Sequence, residues 1–237
     1  MNKIWIFGGS FCTGYQTGGG NRDWIAQLDA DVTVWACAPQ SPLTQYLMLK
    51  HALEVHCLER LQSEPDLILY DFPPANRVEM PSKLPKRSKN MLNYYHYKHS
   101  RTGHKWECGC EPDSDTWTVR SLTLLDEWHK WDTPEKDYTE FTNQVKRDVL
   151  KGRLPDEREH RWTKLALNQI ADKQIPYRWF SAYNSNPDVA PEHLDNYINI
   201  MTLNGTVPRQ TYNSKTFNHL SIQQNLMWSE FFNKTIV

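Results

Sequence analysis

Residues 3–10 read KIWIFGGS, a run of branched and aromatic side chains that stops at two glycines and a serine. Unbroken apolar character suits a strand buried on both faces, and glycine ends it. If Lys3–Phe7 opens a parallel sheet, the loop after it emerges at the carboxyl edge, where open α/β sheets bind their ligands. The glycines then either simply turn the chain or hold the Ser10 hydroxyl in the open.

Working outward, Trp24–Leu28 suggests a helical turn and Val32–Ala36 a second strand. Apolar residues at 43, 46, 47, 49, 53, 57, 58 and 61 fall at helical spacing and predict an amphipathic helix over 43–61. Leu67–Phe72, entered through Pro65-Asp66 and stopped by Pro73-Pro74, is a third strand. Strand, helix and strand in this order imply βαβ units with right-handed crossovers, hence an α/β fold. Residues 82–161 read as an insertion of loop and helices within a single domain spanning 1–237: basic first, then aromatic through NYYHYKHS (93–100), then charged and helical from 119 to 150. Trp162–Lys173 resumes amphipathic helix, and Ile175–Tyr183 is a further strand. Residues 187–214 are polar and turn-rich, and Ile222–Phe232 forms a closing helix entered through NHLS.

At 237 residues the chain can bury a substantial core. A net charge of −1 supplies no field for nucleic acid or anionic membrane, so neither partner is expected. No apolar stretch approaches the roughly 20 residues that span a bilayer. The first residues are too briefly apolar for a signal peptide. Five scattered cysteines, an odd number, suit reduced thiols better than a disulfide framework. A cytoplasmic location is the expectation, or a virus particle if the origin is viral.

The opening glycines do not fit the nucleotide-binding motifs. Gly9 and Gly14 have the outer spacing of a P-loop, but Tyr15-Gln16 stand where Lys and Ser/Thr grip phosphate and magnesium. A G-x-S-x-G elbow fails because Cys12 replaces the second glycine. What remains is a serine directly after a first strand. Phe7-Gly8-Gly9-Ser10-Phe11 resembles the first block of the SGNH (GDSL-type) hydrolase superfamily. PDLILYDFPPANR (65–77) is similar to its third block, whose loop supplies an asparagine, here Asn76. NHLSIQQNLMW (218–228) resembles its fifth block, which puts the histidine at His219. The set also resembles a divergent, phage-encoded branch.

The resemblance implies a three-layer α/β/α fold on a parallel, flavodoxin-like sheet, and hydrolysis of an ester, an acyl group on a carbohydrate among the candidates. It implies Ser10 as nucleophile, His219 as base, and an oxyanion hole from the Ser10 N–H, the Asn76 amide and the second-block loop near Gln40 or Ser41. No cofactor and no metal are implied. The chemistry is coherent, since serine needs an adjacent base and neutral histidine accepts a proton near neutral pH. Each motif also has a plain reading: Ser10 as a turn residue, Asn76 as a cap after the prolines, His219 as a packed helix-entry residue.

The pattern departs from the family at three places. Gly9 replaces the aspartate beside the serine, and VWACAPQSP (34–42) carries no glycine where the second block has one. The acid expected two or three residues before the histidine is missing, because Phe217 and Thr216 cannot ionise. Thr216, a backbone carbonyl or a distant acid such as Asp195 then orients His219. This leaves two further functions open. One is a catalytically impaired module of the same fold that binds glycan or a partner protein. The other is an interaction domain stabilised by metal at His104, Cys108 and Cys110, with His96 or His99 as a further ligand. Arg77 and Glu79 read as a solvated pair at the rim.

Overall fold

The structure, a computed structural model, describes residues 2–9, 12, 24–36, 42–56, 64–72, 77–81, 95–100, 103–108, 117–121, 156–182, 190–200, 203, 220 and 222–236. The strands β1 (Lys3–Gly8), β2 (Asp31–Ala36), β3 (Leu67–Asp71) and β8 (Tyr177–Phe180) run parallel in the order β2-β1-β3-β8. With helices packed on them, they make an α/β fold. Ile6 of β1 sits level with Val34 of β2 and Leu69 of β3, so the apolar runs predicted from sequence lie side by side.

The period-two alternation of β1 divides its side chains between two cores. Trp5 and Phe7 join Trp35, Ile68 and Tyr70 in a cluster with α1 (Pro42–His51) and α2 (Asp156–Asp172). Ile4 and Ile6 join Val32, Val34, Leu69 and Phe180 in a second cluster with Trp24 and α3 (Ile222–Thr235). Both faces of the sheet are therefore covered. In α1 and the π-helical turn Ala52–His56 that follows it, the buried positions among the described side chains after Pro42, itself buried, are 45, 48, 49, 52 and 53. That is an i, i+3, i+4, i+7, i+8 stripe. It includes the polar Gln45 and leaves Leu47 exposed, contrary to the set of apolar positions alone.

The structure corrects the loop expected at the start of the 82–161 insertion, while the helices expected over 119–150 lie, apart from 119–121, outside the described residues. Among the described residues four strands lie between 77 and 121: β4 (Arg77–Pro81), β5 (Tyr95–Ser100), β6 (Gly103–Cys108) and β7 (Trp117–Ser121). β5 pairs antiparallel with β2 and β6 with β5, which extends the parallel sheet into a mixed one of six strands. β4 and β7 form a separate antiparallel pair that includes Arg77 and Glu79, read from sequence as rim residues. YHYKHS alternates in a way that suits a strand, but its histidines and lysine hid it. In β6, His104 and Cys108 stand four positions apart, about 13 Å along an extended strand. One metal ion cannot bridge that span, and Cys110 lies outside the described residues. Among the described residues no group of three or more His, Cys, Asp or Glu gathers to hold a metal, and no helix is long and apolar enough to cross a membrane.

α2 starts six residues before the predicted Trp162, its first turns being the charged DEREHR. It ends in a Schellman motif: Ile175 N–H donates to Ile170 O at 3.4 Å and Gln174 N–H to Ala171 O at 2.8 Å. Gln174 takes the left-handed conformation there, with φ of 58°. A side chain is strained at that position and glycine is not. Gln174→Gly is expected to stabilise the protein by roughly 0.5–1 kcal/mol, after the larger unfolded-state entropy of glycine is subtracted. Urea denaturation midpoints would measure it, and an unchanged or lower midpoint would contradict the assignment.

Candidate functional site

Strand order decides where chemistry can be done. β2 lies on one side of β1 and β3 on the other, so the chain switches direction between β1 and β3. Such a switch leaves a crevice at the carboxyl ends of the two strands, the usual ligand site of open α/β sheets. The opening stretch ends in that crevice. Cys12 N–H donates to Gly9 O at 3.0 Å and closes a turn across positions 9–12. Gly8 is required by close approach: a Cβ there would stand 2.4 Å from Cys12 Sγ and 3.1 Å from the Asp71 Cβ.

Asp71, the last residue of β3, is 0% exposed. Its Oδ1 accepts from the Ala182 N–H at 3.0 Å, just after β8, and its Oδ2 from the Cys12 thiol at 3.9 Å. Gln45 Nε2 of α1 donates to its backbone carbonyl at 2.6 Å. The next carbonyl, of Phe72, accepts from the Ser181 hydroxyl at 3.3 Å, while Phe72 N–H donates to Phe180 O at 2.7 Å. One buried carboxylate thus ties together the ends of β1, β3 and β8. Taking a carboxylate out of water costs several kcal/mol unless it is well bonded, so its position beside the crevice is informative. Sequence reading missed it. The signal was an ionisable residue closing an otherwise apolar run, LILYDF.

α3 is held near both of its ends. Near its end, Asn233 Oδ1 accepts from the Asp29 N–H at 2.8 Å and Asn233 Nδ2 donates to Gln27 O at 3.0 Å, just ahead of β2. Near its start, Asn225 Oδ1 accepts from the Trp24 N–H at 2.9 Å. α3 is thereby fastened to the segment just ahead of β2, while its Trp228 and Phe232 rings meet Phe180 at the end of β8 at centroid distances of 5.9 and 5.4 Å. Its 14 residues span about 21 Å, close to the height of a six-residue strand. Leu220, ahead of its first turn, packs against the second core.

Ser10, Gln40, Asn76, Thr216 and His219, the residues singled out from sequence, lie outside the described residues. Their described neighbours are Gly9 and Cys12, the end of β2 and start of α1, Phe72 and Arg77, and Leu220. Asp195 is described: it is exposed on the 3-10 segment Pro191–Asn196, which is fastened beside the amino end of β8. There Arg178 donates from a terminal guanidinium nitrogen to Asn196 Oδ1 at 2.7 Å.

The same segment buries a histidine that a polar, turn-rich reading did not foresee. His193 is 7% exposed. Tyr177 O–H lies 2.5 Å from Nδ1, Asn168 Oδ1 lies 2.9 Å from Nε2, and Trp179 Nε1 donates to the His193 carbonyl at 2.8 Å. The partners assign the tautomer: Nδ1 accepts from the phenol and Nε2–H donates to the amide oxygen. Burial lowers the pKa of His193, Glu192 opposes this, and Lys164, paired with Glu192 at 3.8 Å, adds to it. The unfolded chain then binds a proton near pH 6.5 that the folded chain refuses. The stabilising effect of the neutral ring is full above that pH and is lost as pH falls through the lower folded value. Denaturation midpoints should thus fall between pH 7.5 and 5.5, and less so in His193→Asn. Equal slopes in the two proteins would contradict the linkage.

No family model matches the chain, and no curated protein or solved structure matches it either.

Proposed function

We propose that this protein is a serine ester hydrolase of the SGNH type, working on a flavodoxin-like layered sheet and cleaving a small-molecule or carbohydrate ester. Ser10 attacks the ester carbonyl while His219 takes its proton. The Ser10 N–H, the Asn76 amide and a backbone N–H of the loop at Gln40 receive the charge that develops on the carbonyl oxygen; one such donor lowers the barrier by roughly 2.7–4 kcal/mol. His219 then protonates the leaving alcohol, and water hydrolyses the acyl-enzyme by the reverse proton path. Reduced thiols favour an intracellular setting, or the interior of a particle if the protein is viral.

The observation that carries this reading is the adjacency of β1 and β3, whose carboxyl ends open on one crevice. β1 and β3 are adjacent and parallel, so the loops bearing Ser10 and Asn76 leave the same crevice. His219 lies three residues before α3, which packs on the same parallel strands. The bond from Cys12 N–H to Gly9 O ties together the residues on either side of Ser10. The experiment is hydrolysis of short p-nitrophenyl esters, with the wild type active and Ser10→Ala reduced to the buffer rate. Equal rates in the two proteins would exclude Ser10.

One observation favours a second reading, a binding module for glycan or protein on the same scaffold. Thr216 and Phe217 leave no ionisable group beside His219, and losing the acid of a triad can lower the rate by about 10⁴. A folded wild type with no esterase activity on any chain length would favour that module.

A further inference from the structure

We propose that Asp71 is a positioning residue for Ser10, acting through Cys12 on the turn that follows β1. The inference rests on the reading of Ser10 as nucleophile.

The carboxylate joins the ends of β1, β3 and β8 at the crevice. Oδ2 accepts from the Cys12 thiol at 3.9 Å, and Oδ1 from the Ala182 N–H at 3.0 Å. Cys12 in turn donates its N–H to Gly9 O at 3.0 Å, so Asp71 grips the far end of the same turn that Gly9 begins. Ser10 occupies the interval between those two anchors. Gly8 lets the contact happen, because a Cβ there would collide with Cys12 Sγ at 2.4 Å and crowd the Asp71 Cβ at 3.1 Å. Asp71 is itself well anchored: it is fully buried, ends a central strand, and has its carbonyl held by Gln45 at 2.6 Å. By holding the Cys12 end of that interval, Asp71 sets the position of the hydroxyl that the interval carries. A serine displaced by about 1 Å loses up to roughly a hundredfold in rate. For packing alone an apolar residue would serve this site better than a buried carboxylate, as replacement of buried ion pairs by apolar groups shows elsewhere. That the carboxyl group reaches the turn through Cys12 points to positioning.

The test compares wild type with Asp71→Asn, Cys12→Ala and Cys12→Ser. Two quantities are read: amide exchange at residue 12, against exchange in β1, and the limiting rate of Ser10 phosphonylation by a fluorophosphonate. In Asp71→Asn the residue-12 amide is expected to exchange at least about tenfold faster while β1 keeps its protection. The limiting rate of phosphonylation falls about tenfold or more, with the half-saturating probe concentration unchanged. Cys12→Ala behaves like Asp71→Asn, and Cys12→Ser, which keeps a donor for the carboxylate, restores both readouts. If Asp71→Asn does not fold, the alanine–serine pair at position 12 decides alone. Unchanged exchange at residue 12, or faster exchange throughout β1 as well, overturns the proposal. A wild type that is never labelled at Ser10 refutes the nucleophile reading instead, and residue-12 exchange then decides whether Asp71 holds the turn.

Discussion

His219→Ala is expected to slow ester hydrolysis about a thousandfold while the melting temperature stays within a few degrees of wild type. General-base assistance by a positioned histidine is worth roughly 10²–10⁴ in rate, and without it the Ser10 hydroxyl is a poor nucleophile. The alternative is that His219 merely packs where the chain enters α3. Its truncation would then appear as lost stability with proportionate loss of activity. The two cases separate when kcat and the thermal midpoint are measured on the same preparation. A thousandfold loss at constant stability supports the base. A fall in midpoint with kcat per folded molecule unchanged removes it. The same variant bears on the missing acid, since a dyad without a charged partner starts from a slower wild type.

Trp24→Ala is expected to have the largest effect on stability, about 3–5 kcal/mol. Trp24 is 0% exposed and its ring meets those of Trp228, Phe232 and Phe180 at centroid distances of 5.6, 4.8 and 6.4 Å. Its backbone N–H also donates to Asn225 in the first turn of α3. Truncation leaves a cavity in the core that holds this helix on the sheet, which the surrounding rings fill only in part. For a chain of this size the loss corresponds to a drop of roughly 10 °C in melting temperature. Activity should fail at a lower temperature than the far-ultraviolet signal, because α3 carries the segment before it. A loss under about 1 kcal/mol would mean that the helix is held in some other way.

The central strands were legible because their apolar runs are unbroken. KIWIF, VTVWA and LILY need no tertiary information to be read as buried strands, and the parallel order follows from the crossovers between them. β5 was not legible. YHYKHS pairs with β2 in register, Tyr97 opposite Val34, yet composition alone suggested a loop. Pairing with a neighbouring strand, rather than intrinsic preference, makes it a strand. The start of α2 was hidden by its charge, DEREHR, which a helix tolerates well but hydrophobic periodicity cannot detect.

At the crevice, the glycine turn announced itself while Asp71 did not. A single aspartate at the end of LILYDF is ambiguous until β8 supplies the Ala182 N–H from more than a hundred residues away. His193 is similar: its burial depends on Tyr177, Trp179 and Asn168, on two other elements. Side chains whose roles are set by distant partners leave little trace in local sequence. Short-range motifs such as the Gly8-Gly9 turn leave much more.

The most direct measurement is the site of covalent labelling when the folded protein is treated with a fluorophosphonate probe and digested for mass spectrometry. The account predicts one adduct, on Ser10, absent in Ser10→Ala and formed far more slowly in His219→Ala. A folded protein that takes up no label, or takes it up at another residue while Ser10 stays unmodified, would contradict it.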